Sequence, residues 1–492
     1  MSKLLRANLF SKKGFSTLKW TIALLFALKV LLFAMAYPLF NTTDELPNFD
    51  TVLKQGKGYS YEDRNYYFDT LTLELAHKVQ SKEYLLGEFQ NEDFVPLLKL
   101  QYQDDFEGYF SFFSKTTHQQ THSSPFYFKP LGWMFYALPD DLNPYLKIYS
   151  LRFVNVVLAF FLAFWAITLG MQVFQNRALA LSCGVLLLGI PQSIYYFINV
   201  DILSALSAVV FLLFAVKSYQ HFTLKNLLLV ALTGALTILI KASGLIIVCC
   251  GFLLLLFGRI EVRWKRFFYL PISILLMILL MLPGFINRVS SGVGLFATKE
   301  KVKVLGWTAK EVENYFPHVI TSIGGMSNFF TKTWQSWWLG ESLWEGTDIY
   351  SSFSTYYVTI ITTLLLLVFA VRSYYLSNYH GLLNNIRRIS WFSYIGYFLL
   401  FAFLSVRYDF GNCVYPSKAF PIFVSGRLML GMLFPFLFSF VDSVSGFFRD
   451  KKVVFYIVLC FTLFHLGLEL IETKDIFYSN KNFFSKVLKI SF

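Results

Sequence analysis

The sequence predicts an all-α polytopic membrane protein with about eleven membrane-spanning helices, and three observations carry that expectation. Hydrophobic residues make up 56% of the 492-residue chain and charged residues only 15%, against roughly 25% charged in soluble domains. Apolar stretches of about 18 residues or more recur along the chain, the length that crosses a hydrocarbon core of about 30 Å. Basic residues concentrate in the short connections between those stretches. The abundance of Phe (56) and Tyr (29) suits rings that pack between helices and sit at the interface.

The elements follow in order. Lys3, Arg6, Lys12, Lys13 and Lys19 precede the first apolar run, which extends to Phe40. Ala34-Met35-Ala36 has the small-residue pattern of a signal-peptide cleavage site. Lys29 inside the run and the polytopic remainder favour a retained first helix. The expected spans cover residues 20–40, 150–174, 178–198, 201–217, 226–241, 244–258, 267–286, 355–372, 389–406, 421–441 and 453–471. With the N-terminus inside, the inner loops and N-terminus together hold 18 Lys and Arg, in agreement with the positive-inside rule.

The chain, 1–492, then reads as a single transmembrane domain with two large outer segments, 41–149 and 287–354, and an outer C-terminal tail, 472–492. In the first segment Leu46, Phe49 and Leu53, and again Phe68, Leu71, Leu75 and Val79, repeat at helical spacing. They suggest amphipathic helices lying on the membrane surface. The second segment carries Thr308-Ala309-Lys310-Glu311, a capping-box pattern. Its Trp334, Trp337, Trp338 and Trp344 suit an interfacial belt.

The net charge of +13 is no nucleic-acid footprint. Residues 41–149 hold 16 acids against 9 bases, and the excess of positive charge lies elsewhere, much of it in short loops. Cys183, Cys249, Cys250 and Cys460 fall in apolar runs and Cys413 in a polar loop, which gives neither a disulfide framework nor metal spacing.

Asp44-Glu45 emerges just beyond the first span. Thr42-x-x-Glu45 is a capping-box pattern, which accounts for Glu45 and leaves Asp44 as the candidate for chemistry. Ser124 to Trp133 is an aromatic, proline-broken stretch too short to span, which could hold Lys129 at headgroup depth. Lys241 at the outer end of its span, Arg427 inside another and Arg152 opening the second are cations in or beside apolar helices. At that depth a charge is a functional hypothesis by default. Lys29 lies deeper, where pairing with an acid would be structural, and Asp201 in Asn199-Val200-Asp201 fits a helix cap. A lipid-linked phosphate needs cations at headgroup depth. Sugar transfer from it needs one base and no general acid, because the leaving phosphate is already a stable anion; glycosidases need a second carboxyl.

These motifs resemble the GT-C class of integral-membrane glycosyltransferases that use polyprenyl-phosphate sugars. The similarity is greatest to protein O-mannosyltransferases and the lipid A aminoarabinose transferase. Asp44-Glu45-Leu46-Pro47 is similar to the Asp-Glu after the class's first helix, and Phe126 to Trp133 to its aromatic stretch ending in Lys-Pro. Leu151-Arg152-Phe153, Gly234 to Lys241 and Gly426-Arg427-Leu428 follow in matching order. The resemblance implies an inverting transferase at the outer face, with Asp44 as general base. It implies Lys129, Lys241, Arg427 and Arg152 as lipid-phosphate-binding cations, and leaves Glu45 to orient the acceptor or cap a helix. Implied partners are a polyprenyl-phosphate sugar donor, membrane lipids and a glycan, lipid or protein acceptor. The implied location is a bacterial inner membrane with the site facing the periplasm. Some members of the class use a divalent metal held by several acids; with only Asp44 and Glu45 assigned here, no metal or other cofactor is expected to be required. A flippase for lipid-linked saccharides, or a polysaccharide polymerase or ligase, is the alternative.

Overall fold

Among the described residues, eleven apolar helices overlap the eleven expected spans. The structure is a computed structural model and describes residues 10–40, 44–59, 67–79, 118, 120, 123–257, 263–290, 302, 307–341, 343–344, 347–376, 381–410 and 421–490. Thr42 of the capping-box pattern and Cys413 lie outside the described residues. The apolar helices are α1 (Lys12–Ala36), α5 (Pro144–Phe174), α6 (Arg177–Leu188), α7 (Asp201–Gln220), α8 (Leu224–Ile240), α9 (Gly244–Leu256), α10 (Arg263–Ser290), α12 (Ser352–Tyr375), α13 (Leu382–Arg407), α14 (Leu433–Ser445, continuing a 3-10 segment, Gly426–Met432) and α15 (Lys451–Glu472). Eight of these elements are long and apolar enough to cross a membrane by themselves, while α6, α8 and α9 are shorter. Among the described residues, four further α-helices lie in the stretches 41–149 and 287–354: α2 (Glu45–Gly56), α3 (Thr70–Val79), α4 (Pro125–Ala137) and α11 (Ile323–Leu339). Two one-turn helices, α16 (Lys474–Phe477) and α17 (Phe483–Lys486), end the chain. The only strands among the described residues are two antiparallel pairs of two residues each.

Local sequence sets the helix ends. Asn143 and Asn176 cap α5 and α6 by accepting from the Tyr145 and Ala178 backbone N–H groups, Thr223 caps α8, and Pro144 stands at the first position of α5. The first span has two apolar faces with different partners. On α1, Ala23, Phe26, Val30 and Phe33 are buried against the bundle, while Leu24, Leu25, Leu28 and Leu32 are exposed on the opposite side. That is the pattern of a helix between protein and lipid.

Four expectations are corrected. The span over 178–198 stops being helical at Leu188, and 189–200 continues as buried irregular chain with one 3-10 turn at Ser193–Tyr195. Pro191 brings no N–H and disfavours helix at Ile190. Inside a membrane such backbone survives only where protein groups satisfy it. Lys29 donates to the Leu188 and Ile190 carbonyls, and the Tyr350 hydroxyl to the Pro191 carbonyl. Secondly, α2 does not lie on the membrane surface: every residue from Glu45 to Gln55 is buried. Gly132 lets α4 press against it. A Cβ on Gly132 would overlap the Val52 carbonyl oxygen and fall 2.5 Å from Gly56 Cα. Thirdly, Trp334, Trp337 and Trp338 form no interfacial belt. They are buried on the inner face of α11, packed around Phe436 in tilted and edge-on contacts. Their i, i+3, i+4 spacing is that of a core face. Nor is Thr308 a helix cap; Thr308–Ala309 pairs as a strand with Tyr408–Asp409.

Candidate active site at one end of the bundle

Alternating helix direction gathers one set of helix ends. The C-terminal ends of α1 and α8 and the N-terminal ends of α7 and the Gly426–Met432 segment carry Asp44, Lys241, Asp201 and Arg427. Asp44 stands immediately before α2 with φ 67° and ψ 0°. This left-handed conformation is uncommon outside glycine, with Asp and Asn its more tolerant occupants. Its backbone carbonyl accepts from the Asn48 N–H at 2.9 Å, but its carboxylate does not cap the helix. Oδ2 is instead 2.5 Å from Arg427 Nη2. Arg427 Nε lies 3.1 Å from Glu341 Oε2. The other Glu341 oxygen accepts from the Ser336 and Ser425 hydroxyls at 2.9 and 2.7 Å. Ser336 Oγ in turn accepts from the Gly426 N–H at 2.9 Å. Gly426 is required there, since a Cβ would overlap the Thr333 carbonyl and the Trp337 N–H. Lys241, just past α8, is ion-paired with Asp201 and lies within electrostatic range of Arg427 and Asp44. Three carboxylates and two cations thus form one linked set, with Lys241 20% and Arg427 13% exposed at the side chain.

The Asp44-Glu45 pair divides sharply. Glu45 is fully buried and holds Arg152 in a two-pronged pair, Oε1 to Nε 2.7 Å and Oε2 to Nη2 2.6 Å. Its oxygens also accept from the Phe40 N–H at 2.8 Å and the Ile198 N–H at 3.3 Å. Arg152, expected among the phosphate-binding cations, donates its remaining N–H groups to the Ala34, Tyr37 and Pro38 carbonyls. All five guanidinium donors are therefore spent inside the protein, and the residue is 0% exposed. The pair fastens the end of α1, the start of α2 and the irregular chain before α7 to α5. Neither member has a lone pair or proton left for a substrate. Lys129 is not drawn into the ionic set either. It is exposed on α4, its Nζ 5.4 Å from the centre of the Trp133 ring, and it makes no ion pair among the described residues. On the other face of α4, the Tyr127 hydroxyl donates to Asn155 Oδ1 at 2.8 Å and accepts from the Asn199 N–H at 3.1 Å.

A second polar knot flanks Asp44 on α2. Asp50, fully buried, is 2.6 Å from Lys54 and 2.8 Å from His118, and accepts from the Thr72 hydroxyl and the Asp69 N–H, each at 2.7 Å. Burial works against its charge, but the His118 hydrogen bond and charge, followed by Lys54, hold its carboxyl down at about 2. Burial pushes His118 below the usual imidazole range, against the pull of Asp50. Deeper in the bundle, Lys29 pairs with Glu469 at 2.7 Å, and Glu469 accepts from the Tyr196 hydroxyl at 2.5 Å. This is the structural pairing with an acid that the depth of Lys29 suggested.

The sequence alone left two members of the ionic set unread. Glu341 follows the buried Trp face of α11 without a motif; its signal is that Arg427, set in apolar sequence, needs a counter-charge. Asp201 stands inside the first turn of α7, and its carboxylate pairs with Lys241 rather than capping the helix. Among the described residues no three His, Cys, Asp or Glu side chains converge as a metal-ligand group.

No family model matches the chain, and no curated protein sequence matches it. Among solved structures it is similar to the crystal structure of ArnT from Cupriavidus metallidurans bound to undecaprenyl phosphate. That similarity has 12% identity and a TM-score of 0.36, and covers 95% of this chain and 80% of that one.

Proposed function

We propose that the protein is an inverting glycosyltransferase that moves a sugar from a polyprenyl-phosphate donor to an acceptor hydroxyl at the outer face of a membrane. The observation that carries this reading is the contact between Asp44 and Arg427 beside Lys241. A carboxylate and two cations there share one partly accessible end of the bundle. The acceptor oxygen attacks the anomeric carbon while its proton passes to the Asp44 carboxylate. The bond from that carbon to the phosphate oxygen breaks, and its electron pair stays on the departing polyprenyl phosphate. Arg427 and Lys241 hold the phosphate and stabilise the charge that grows on it. Lys129, on the exposed face of α4, meets the same headgroup from the lipid side. Glu45 and Arg152 keep Asp44 in place without touching substrate.

The setting proposed is a bacterial inner membrane with this end of the bundle in the periplasm. The test is release of polyprenyl phosphate from a lipid-linked sugar by the purified full-length protein. Asp44→Asn is expected to lower transfer by about 10²–10⁴-fold, the usual worth of general-base help, with the fold intact. A well-folded Asp44→Asn protein that still transfers removes Asp44 from this role. Movement of lipid-linked sugar across vesicles without any release would overturn the reading itself.

A further inference from the structure

Arg427 has two claims on it. Its Nη2 is held by Asp44 at 2.5 Å and its Nε pairs with Glu341 at 3.1 Å. Glu341 is fixed by two serine hydroxyls, Ser336 and Ser425, and Ser336 is itself fixed by the Gly426 backbone. Arg427 Nε also lies 3.3 Å from the Ser425 hydroxyl. Among the described residues, Nη1 makes no hydrogen bond. The guanidinium is therefore anchored at Nε, and on its other edge, Nη1 and Nη2, Asp44 takes one donor of the fork. That edge has the geometry that accepts a phosphate through two parallel N–H bonds. Nη2 carries a second N–H, so donor count alone excludes neither anion, but a phosphate on that edge brings its charge against the Asp44 carboxylate and competes with it for the same cation.

We propose that Arg427 is a shared switch: a lipid phosphate displaces Asp44 from its guanidinium, and so frees the base only when the donor is in place. Glu341 is the positioning residue that makes the exchange possible, because it keeps Arg427 neutralised and oriented while the Asp44 contact opens. The chemistry favours this direction as the reaction proceeds. The donor is a phosphodiester with one negative charge, and the departing polyprenyl phosphate is a monoester approaching two. The hold of Arg427 on phosphate therefore strengthens toward the transition state, where binding energy raises rate. In the resting protein the Asp44 oxygen bonded to Arg427 is withheld from any hydroxyl that enters without a donor, water included.

This inference rests on the transferase reading of the site, and a binding cycle separates the two. Undecaprenyl phosphate is titrated into the purified full-length protein, its Asp44→Asn and Arg427→Gln variants, and the double variant; thermal unfolding is recorded for each. With the competitor for Arg427 weakened, Asp44→Asn should bind the probe about tenfold more tightly, a 1.4 kcal/mol gain. Arg427→Gln should bind it more weakly, and adding Asp44→Asn to that background should recover little, since no shared cation remains. An Asp44→Asn protein that binds no more tightly than the parent overturns the switch. So does an equal gain with and without Arg427, which is simple relief of repulsion between carboxylate and phosphate. Glu341→Asp, which retains the anchoring charge, should preserve the tighter binding of Asp44→Asn, while Glu341→Gln should erode it. A parent that binds no undecaprenyl phosphate overturns the transferase reading, and the switch with it.

Discussion

Replacing Arg152 with lysine separates a framework cation from a substrate-binding one. Arg152 spends five N–H donors on Glu45 and on the carbonyls of Ala34, Tyr37 and Pro38, at 2.6–2.8 Å. Lysine has three donors on one nitrogen and cannot span acceptors on both sides of a guanidinium plane. At least two acceptors lose their partner, and hydrogen bonds to charged groups are worth about 1.5–3 kcal/mol each. The expected loss of stability is therefore about 3–5 kcal/mol, also the range for removing one member of a buried ion pair. Glu45→Gln should cost a similar amount, and the double variant less than the sum, because both changes break the same contact. The assay is thermal unfolding of the full-length protein in lipid nanodiscs, with undecaprenyl phosphate binding measured below the transition. An Arg152→Lys protein as stable as the parent but weakened in phosphate binding would refute the argument and return Arg152 to the donor site.

Gly132→Ala should cost about 1–3 kcal/mol, since the added methyl overlaps α2 and neither helix backbone can yield locally; transfer should fall with it, because α2 begins at Asp44, and a silent substitution would disprove that close approach. Lys29→Met and Glu469→Gln should each destabilise the bundle, while their combination recovers part of the loss, as a double-mutant cycle of unfolding would register. The α2 knot should weaken with acid in two stages. His118 is held below its ordinary 6.5, so the stability it contributes is present above pH 6.5 and is lost as pH falls through its folded value. The contribution of Asp50 is present above 3.8 and is lost as pH falls toward about 2. Unfolding recorded against pH should show less acid sensitivity in Asp50→Asn.

The spans were legible because lipid imposes length and apolarity on every crossing helix, and α1, α5, α7 and α15 follow that rule closely. The break at Leu188 was less so: Pro191 marks it, but an apolar run gives no sign that Lys29, 159 residues away, will satisfy the stranded carbonyl. The tryptophans of α11 misled for a related reason. Composition puts Trp at interfaces, and only the angular spacing of 334, 337 and 338 reports a core face. At the site, Asp44, Lys241 and Arg427 could be named as charges set in apolar or membrane-adjacent sequence. Which acid takes which cation is decided by helix ends brought together from distant parts of the chain, so Glu341 carries no signal of its own, and Arg152, read as a phosphate-binding cation, and Glu45, read as a helix cap or acceptor-orienting acid, instead hold each other.

The pair between Lys29 and Glu469 joins the first span to the last, and roughly 440 residues of synthesis lie between them. At about 5–20 residues per second the second partner arrives some tens of seconds after the first. Through that interval α1 carries an ammonium whose insertion near mid-membrane costs about 2.5–3.5 kcal/mol. The carbonyls of Leu188 and Ile190 are made far earlier than Glu469 and give that ammonium its first protein acceptors. The broken end of α6 therefore shelters a nascent charge until α15 arrives, and the ion pair closes only when the last span has been made.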